Sequence, residues 1–257
     1  MKLMRKIGMF QLTTSGLRLW GMIFLLLSAV GAMMQQHLLG SGNMTNLALL
    51  NAMEADPTVM AETTVALILQ AIGSSALPIF CLLLVEGALN TSHYGKYCLR
   101  VLGLAAVTQL PYNLLVSGNL LVMTKLNPVF AMVLCMLMLY FFRQYREKKA
   151  AHIALKILAV VCIFAWSLML GVDHGPCCVI VTVLLWALRE KPNTKTFLGI
   201  FVLFGCSFLF SMYYIVAPVG FLAMHFYEGK QGSENRLVNY LAYPVILLVA
   251  GVLAVVM

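Results

Sequence analysis

The chain has 257 residues, of which 62% are hydrophobic and only 10% are charged, with a formal net charge of +8. A soluble globular protein is nearer half apolar and a quarter charged, so this composition excludes a water-facing surface over most of the chain. In lipid, backbone polar groups need internal partners, and apolar runs of this length favour helices over a barrel. We predict an all-α polytopic transmembrane helical bundle forming a single domain over residues 1–257, with no soluble domain.

The first predicted span covers residues 19–34 and follows a basic N-terminal segment with Lys2, Arg5, Lys6 and Arg18. It lacks a small-residue cleavage motif, which predicts an uncleaved span rather than a signal peptide. Because Lys and Arg accumulate in cytoplasmic loops, we expect a cytoplasmic N-terminus. Residues 35–61 carry two acids and no Lys or Arg, so this polar connection is expected to face out.

Residues 62–89 form a stretch somewhat too long for one straight span. The loop after it is basic, with Lys96 and Arg100, and is expected inside. Passing from outside to inside needs an odd number of crossings, so we predict one long helix. Pro78 has no N–H for the Ser74 carbonyl and predicts a kink or break in that helix.

Four further spans are predicted at residues 99–116, 128–142, 153–170 and 176–188. The loop after residue 142 and the loop after residue 188 are basic and are expected inside. They carry Arg143, Arg146, Lys148, Lys149, Arg189, Lys191 and Lys195. Residues 197–227 are overlong and are interrupted by Pro218 and Gly220. They form either one span with a short re-entrant piece or two short spans. Charge does not decide the side of residues 228–236. With a last span at 237–257, the count is eight, and nine is the alternative.

Ionisable residues inside spans are costly in a membrane and are functional candidates by default. Glu86 is such a residue, near the cytoplasmic end of its predicted span. It has either a catalytic or ion-paired role, with Lys96 or Arg100 as partner, or it reaches interfacial water. We also take Arg100 as a candidate for substrate binding.

Asp173 and His174 lie in the turn expected at the outer mouth. An imidazole beside a carboxylate takes up and returns protons, so both are catalytic candidates; a solvated turn is the alternative. His225, near a membrane boundary, is a further catalytic candidate, although a lone interfacial histidine is more often structural.

Gln109, Tyr112 and Asn113 are spaced as one polar face of a helix beside Pro111. Such a face must point into the bundle, where it either binds substrate or joins helices through hydrogen bonds. The seven cysteines form no Cys-x-x-Cys pair, and we predict no disulfide framework and no metal site. The basic residues do not alternate with aromatic ones, so no nucleic-acid partner is expected.

Seven segments form an ordered set along the chain: Leu77-Pro78-Ile79-Phe80, Glu86-Gly87, Thr91, Tyr97 to Arg100, Gln109-Leu110-Pro111-Tyr112-Asn113, Phe226-Tyr227-Glu228-Gly229-Lys230 and Tyr240-Leu241-Ala242-Tyr243-Pro244. In this order they resemble segments of the TraX family, and the resemblance implies a bacterial inner or plasma membrane. The namesake of that family acetylates the N-terminal amine of a pilin subunit in the inner membrane. The resemblance implies transfer of an acyl group from acetyl-CoA, on the cytoplasmic side, to an amine such as a protein N-terminus.

The chain departs from the family pattern at two places. Ser28 and Ala29 stand where the family has Asp-His in its first span, and Ile246 stands where the family has a histidine near the C-terminus. These losses favour the alternative of a non-catalytic membrane scaffold or a small permease. The expected partners are the lipid bilayer and a membrane-protein or small-molecule acceptor.

Overall fold

The structure is a computed structural model, and it describes residues 12–39, 46–145, 147, 149–227, 229–230, 232 and 236–256. These residues form an all-helical bundle, as predicted. Its helices are α1 Thr14–Leu39, α2 Asn46–Ala55, α3 Pro57–Gly73, α4 Ala76–Asn90, α5 Tyr94–Ser117, α6 Pro128–Gln144, α7 Ala150–Met169, α8 Gly175–Ala187, α9 Pro192–Leu209, a 3₁₀ helix Met212–Ile215, α10 Pro218–His225 and α11 Arg236–Val256.

Within the described part of the chain, five helical segments are long and apolar enough to cross a membrane, judged by length and composition. They are Thr14–Leu38, Pro57–Asn90, Tyr94–Ser117, Ala150–Met169 and Pro192–Leu209. Shorter apolar helices are Pro128–Gln144, Gly175–Ala187, Met212–His225 and Tyr240–Val256. The connection after α1 contains the helix α2, which the sequence did not indicate, and α3 begins five residues before the predicted start at residue 62.

The long segment of α3 and α4 is interrupted, but the break lies before Pro78. The helix stops at Gly73, and a turn at Ser74 and Ser75 precedes α4. Pro78 has no N–H to reach the Ser74 carbonyl, which instead accepts a hydrogen bond from the Leu77 amide at 3.1 Å. The proline therefore sets the position of the break one turn upstream of its own place in the chain.

Side-chain caps and prolines fix where other helices begin. Asn127 accepts a hydrogen bond from the Val129 amide at 2.9 Å, and Pro128 occupies the first position of α6. Asp56 caps α3 in the same way through the Thr58 amide at 2.8 Å. These pairings satisfy helix N–H groups that have no partner inside the helix.

Contacts sort the helix ends into two groups, which we name the basic end and the Asp173 end. At the basic end, the Arg143 guanidinium donates to the Thr91 carbonyl at 3.0 Å, joining α6 to the end of α4. At the Asp173 end, the Leu126 amide donates to the Gly171 carbonyl at 3.1 Å. The basic end is named for Arg18, Arg100, Arg143, Lys149 and Lys195.

Following the described chain from end to end gives nine traverses: α1, α3 with α4, α5, α6, α7, α8, α9, the 3₁₀ helix with α10, and α11. The eighth starts at the Asp173 end, where Tyr214 contacts His174. It finishes at the basic end, where the Phe226 carbonyl accepts from the Leu12 amide at 3.1 Å. Residues 197–227 thus contain two traverses, which agrees with nine, the alternative count.

The same contacts place the segment that follows α10. The Lys230 carbonyl accepts from the Thr14 amide at 2.9 Å, so this segment lies against the start of α1 at the basic end. Other residues named in the predictions of sidedness lie outside the described residues. These are Lys2, Arg5, Lys6, Arg146, Lys148 and Glu228.

The interior is packed with apolar side chains, while many large apolar residues face outward, as expected in lipid. Five cysteine thiols are buried in the bundle; they belong to Cys81, Cys135, Cys177, Cys178 and Cys206. Small residues allow close helix contact: a Cβ on Gly73 would overlap the Ser28 Cβ, so α1 and α3 approach closely there.

Candidate functional site

A cavity of about 1020 Å³ runs through the bundle from the basic end to the Asp173 end. Its lining includes Arg100 and Val116, 16 positions apart on α5. At a rise of about 1.5 Å per residue, this is roughly 24 Å along the helix axis. The hydrocarbon core of a bilayer is about 30 Å thick, so the cavity extends over most of that depth.

Asp173 and His174 lie together at one end of this cavity. The Asp173 Oδ2 is 3.6 Å from the His174 Nε2, and the His174 Nδ1 is 2.6 Å from the Tyr214 hydroxyl. Asp173 and His174 side chains are 26% and 30% exposed, which leaves both accessible from the cavity. In the tautomer that carries its proton on Nε2, facing the carboxylate, Nδ1 is an acceptor for the tyrosine O–H.

The neighbours of Asp173 stabilise its ionised carboxylate. Burial alone would raise the pKa of this carboxyl, but His174, Lys125 and a hydrogen bond from Tyr112 together hold its pKa below its ordinary value of 3.8. The Tyr112 hydroxyl donates to Oδ2 at 2.9 Å, and the Lys125 Nζ lies 3.9 Å from Oδ1. Asp173 is therefore ionised at neutral pH.

The turn that carries these residues is fixed by backbone contacts. The Asp173 amide donates to the Leu126 carbonyl at 2.9 Å, which ties the turn to the loop before α6. His174 has a φ of 58°, the left-handed region that non-glycine residues rarely adopt. Such a conformation costs on the order of 1 kcal/mol and is common at functional sites.

The opposite end of the cavity is basic and aromatic. Arg18 of α1 and Arg100 of α5 line it together with Tyr97 and Tyr240. Two guanidinium groups near one opening attract an anionic group such as a phosphate, with which arginine forms paired hydrogen bonds. Arg100 is exposed, as such a role requires.

The predicted polar face of α5 divides into two parts. Tyr112 lines the cavity, whereas Gln109 and Asn113 lie beside it in a buried network. The Gln109 amide nitrogen donates to the Asn113 Oδ1 at 2.7 Å, and its oxygen accepts from the Asn127 side chain at 3.0 Å. Asn113 also donates to the Leu120 carbonyl at 3.0 Å. Gln109 and Asn113 thus join α5 to the loop and helix that follow.

Glu86 and His225 lie at the basic end and do not line the cavity. Glu86 Oε2 accepts a hydrogen bond from the Tyr227 hydroxyl at 2.6 Å, and that hydroxyl lies 2.9 Å from the Thr14 Oγ1. Among the described residues, Glu86 has a tyrosine as its hydrogen-bonding partner and Lys195 as a charged neighbour. His225 is exposed at the end of α10, against the ring of Phe226.

The middle of the cavity is mainly apolar. Ser28 and Ala29 line it from α1, and Ile246 and Leu247 line it from α11. Three of these, Ser28, Ala29 and Ile246, are the positions at which the sequence departs from the family pattern. The chain therefore has small or apolar side chains in the cavity where the family pattern has ionisable ones.

Tyr214, Tyr213 and Lys125 line the Asp173 end and were not predicted from the sequence. Lys125 lies in the loop between α5 and α6. The tyrosines lie in the overlong stretch whose course was left open. A Ser-x-Tyr-Tyr turn between two apolar segments was the one signal that pointed to them.

The fold and the cavity define a class: a polytopic helical membrane protein with an acid–base cluster and a basic opening on one internal cavity. The comparison with protein families is more specific, because the model for the TraX protein matches residues 22–254. The chain belongs to the TraX family. Neither the curated proteins nor the solved structures contain a match.

Proposed function

We propose that the protein is a membrane-embedded acyltransferase that uses Asp173, His174 and Tyr214 to remove a proton from the acceptor. The observation that carries the proposal is that this cluster and the two arginines of the basic end line one cavity. Membership of the TraX family, whose namesake is an acetylase, supports the same reaction class.

The cluster is arranged as a proton relay. The acceptor N–H or O–H gives its proton to the Tyr214 oxygen as the tyrosine proton moves to the His174 Nδ1, 2.6 Å away. The imidazolium so formed faces Asp173, whose ionised carboxylate stabilises it. A relay of this kind contributes about 10²- to 10⁴-fold to the rate of a proton-transfer step.

The donor is an acyl-CoA thioester such as acetyl-CoA, which places its phosphates at Arg18 and Arg100. Its long arm reaches along the cavity towards the relay. The acceptor atom attacks the thioester carbonyl carbon, the new C–N or C–O bond forms, and the C–S bond breaks. The departing thiolate takes up the proton that the relay removed, so atoms and charge balance.

The basic end is then the cytoplasmic end, since acyl-CoA is a cytoplasmic metabolite and basic loops accumulate there. The proposed location is the cell membrane, with the start of α1 in the cytoplasm. The Asp173 end faces the opposite side, so the acceptor enters from within or across the membrane.

The test is transfer of a labelled acetyl group by the purified protein in lipid nanodiscs. Labelled acetyl-CoA and an amine acceptor are added to wild-type protein and to Asp173→Asn, a variant that keeps the size of the side chain. Wild-type transfer with a loss of about a hundredfold or more in the variant supports the proposal. Absence of both transfer and CoA binding in wild type would overturn it.

A small permease is the second candidate function, and the length of the cavity favours it. The lining extends from Arg18 near the basic end to Gln36 near the Asp173 end, a length that suits a solute pathway. Substrate flux into sealed vesicles that depends on Arg100 and Asp173, in a protein that transfers no acyl group, would favour the permease.

A further inference from the structure

We infer that the acceptor is a membrane amphiphile: a lipid with an amine or hydroxyl head at the Asp173 end and a hydrocarbon chain in the middle of the cavity. This inference rests on the proposed function and names its substrate class. It differs from the protein N-terminus that the family resemblance implies.

The first argument is the chemistry of the middle of the cavity. The lining there includes Leu25 and Ala29 of α1, Leu77 and Phe80 of α4 and Ile246 of α11, beside the hydroxyls of Ser28 and Tyr243. The apolar side chains of this lining offer no hydrogen bond, and a hydrocarbon chain needs none.

The second argument is size. An acetyl group and a primary amine need only a small part of about 1020 Å³. A substrate with a long apolar part fills the space and leaves room for the donor arm.

The third argument is the polarity gradient along α1. From the middle of the helix towards the Asp173 end, the lining changes from Leu25 and Ala29 to Gln35 and Gln36. An amphiphile matches this gradient when its polar head lies beside His174 and its chain points towards the basic end. The gradient therefore fixes the orientation of the acceptor as well as its class.

Leu25 and Leu26 provide a matched pair of positions for the test. They are neighbours on α1, but Leu25 lines the cavity whereas Leu26 is 49% exposed on the outer face. Leu25→Trp fills the middle of the cavity, and Leu26→Trp adds the same group on the lipid side. Equal elution volumes and melting temperatures of the two variants in detergent establish that both are folded.

The measurement is kcat/KM for acyl transfer to hexadecylamine and to butylamine in nanodiscs, each corrected for partition into the bilayer. We expect wild type and Leu26→Trp to prefer hexadecylamine by at least about tenfold, since its chain makes dispersion contacts with the cavity lining that the short amine lacks. Leu25→Trp should reduce this preference to about twofold or less. The inference would be overturned if wild type had equal kcat/KM for both amines. It would also be overturned if wild type used a short peptide with a free N-terminus as well as it uses hexadecylamine.

Photolabelling separates this inference from the proposed function. Hexadecylamine with a diazirine in mid-chain is irradiated with the wild-type protein, and the modified residues are mapped by mass spectrometry. Adducts at Leu25, Leu77 or Ile246 that are lost in Leu25→Trp support the position of the chain in the cavity. If these adducts form but no acyl transfer is found, the amphiphile binds there without being an acceptor, and the acyltransferase proposal fails as well. Adducts confined to outward-facing residues such as Leu26 overturn the inference. If the protein still transfers the acyl group to short amines in that case, the acyltransferase proposal holds.

Discussion

Two carboxylates of the bundle, Asp173 and Glu86, each accept a hydrogen bond from a tyrosine hydroxyl, but they lie in very different surroundings. Asp173 accepts a hydrogen bond from Tyr112 at 2.9 Å, and Glu86 accepts one from Tyr227 at 2.6 Å. Asp173 also faces a histidine and lines the cavity, whereas Glu86 joins the ends of α1, α4 and α10 at the basic end. The difference is one of position in the fold, because each residue alone is a partly buried acid bonded to a phenol.

The comparison teaches that an ionisable residue near a membrane span is not by itself evidence of a catalytic site. Both residues satisfied the expectation that intramembrane or boundary charges are functional. Only Asp173 has a proton-transfer partner and access to a space where substrate fits. We therefore propose that catalysis takes place at the Asp173 end and that Glu86 has a structural role.

The largest expected effect is at His174. His174→Gln removes the proton acceptor of the relay and should lower kcat for acyl transfer by about a thousandfold. Glu86→Gln should leave kcat within about twofold. Both are measured with labelled acyl-CoA in nanodiscs. If Glu86→Gln lost most of its kcat while His174→Gln stayed active, catalysis would belong to the basic end and not to the Asp173 end.

The next effect concerns the donor. Arg100→Ala removes a guanidinium from the cavity and should raise KM for acyl-CoA about tenfold, through loss of a charge-assisted contact, with a smaller change in kcat. Lys96→Ala is the control, since Lys96 is exposed at the same end but does not line the cavity. Equal changes in both variants would indicate general attraction between charges rather than a site.

A matched pair of tyrosine variants tests the two carboxylates directly. Tyr112→Phe and Tyr227→Phe each remove a hydrogen bond to a charged group and should lower stability by about 1–3 kcal/mol. We expect Tyr112→Phe also to lower kcat about fivefold, because Asp173 then holds His174 less firmly. Chemical denaturation in mild detergent gives the first quantity, and the transfer assay gives the second. Activity lost only in Tyr227→Phe would contradict the comparison.

The smallest effect is the pH dependence of stability. The pKa of Asp173 in the folded protein lies below its ordinary value of 3.8, so its carboxylate stabilises the fold fully above that value. This contribution is lost as the pH falls through the lower, folded-state pKa. Wild type should therefore be more stable than Asp173→Asn at neutral pH, and the gap should close below pH 3.8. Melting curves that stay a constant distance apart at all pH values would refute the expectation.

The spacing of polar residues predicted that α5 has a polar face, and Gln109, Tyr112 and Asn113 are all buried. It did not predict that Tyr112 faces the cavity while the two amides hold the loop before α6. A helical repeat fixes which residues share a face, but which neighbour each one meets depends on helices distant in the chain. The roles assigned to these residues differ for that reason.

The sequence by itself determined the all-helical bundle, the main spans, the break near Pro78 and the family. These follow from local causes: apolar runs must be helical in lipid, proline lacks an N–H, and short segments resemble the family in order. Only the tertiary structure decided that residues 197–227 contain two traverses and that Tyr214 meets His174. These contacts join residues forty positions apart, and no local pattern encodes them. The cavity has the same origin, since its lining comes from most helices of the bundle and exists only once they are packed.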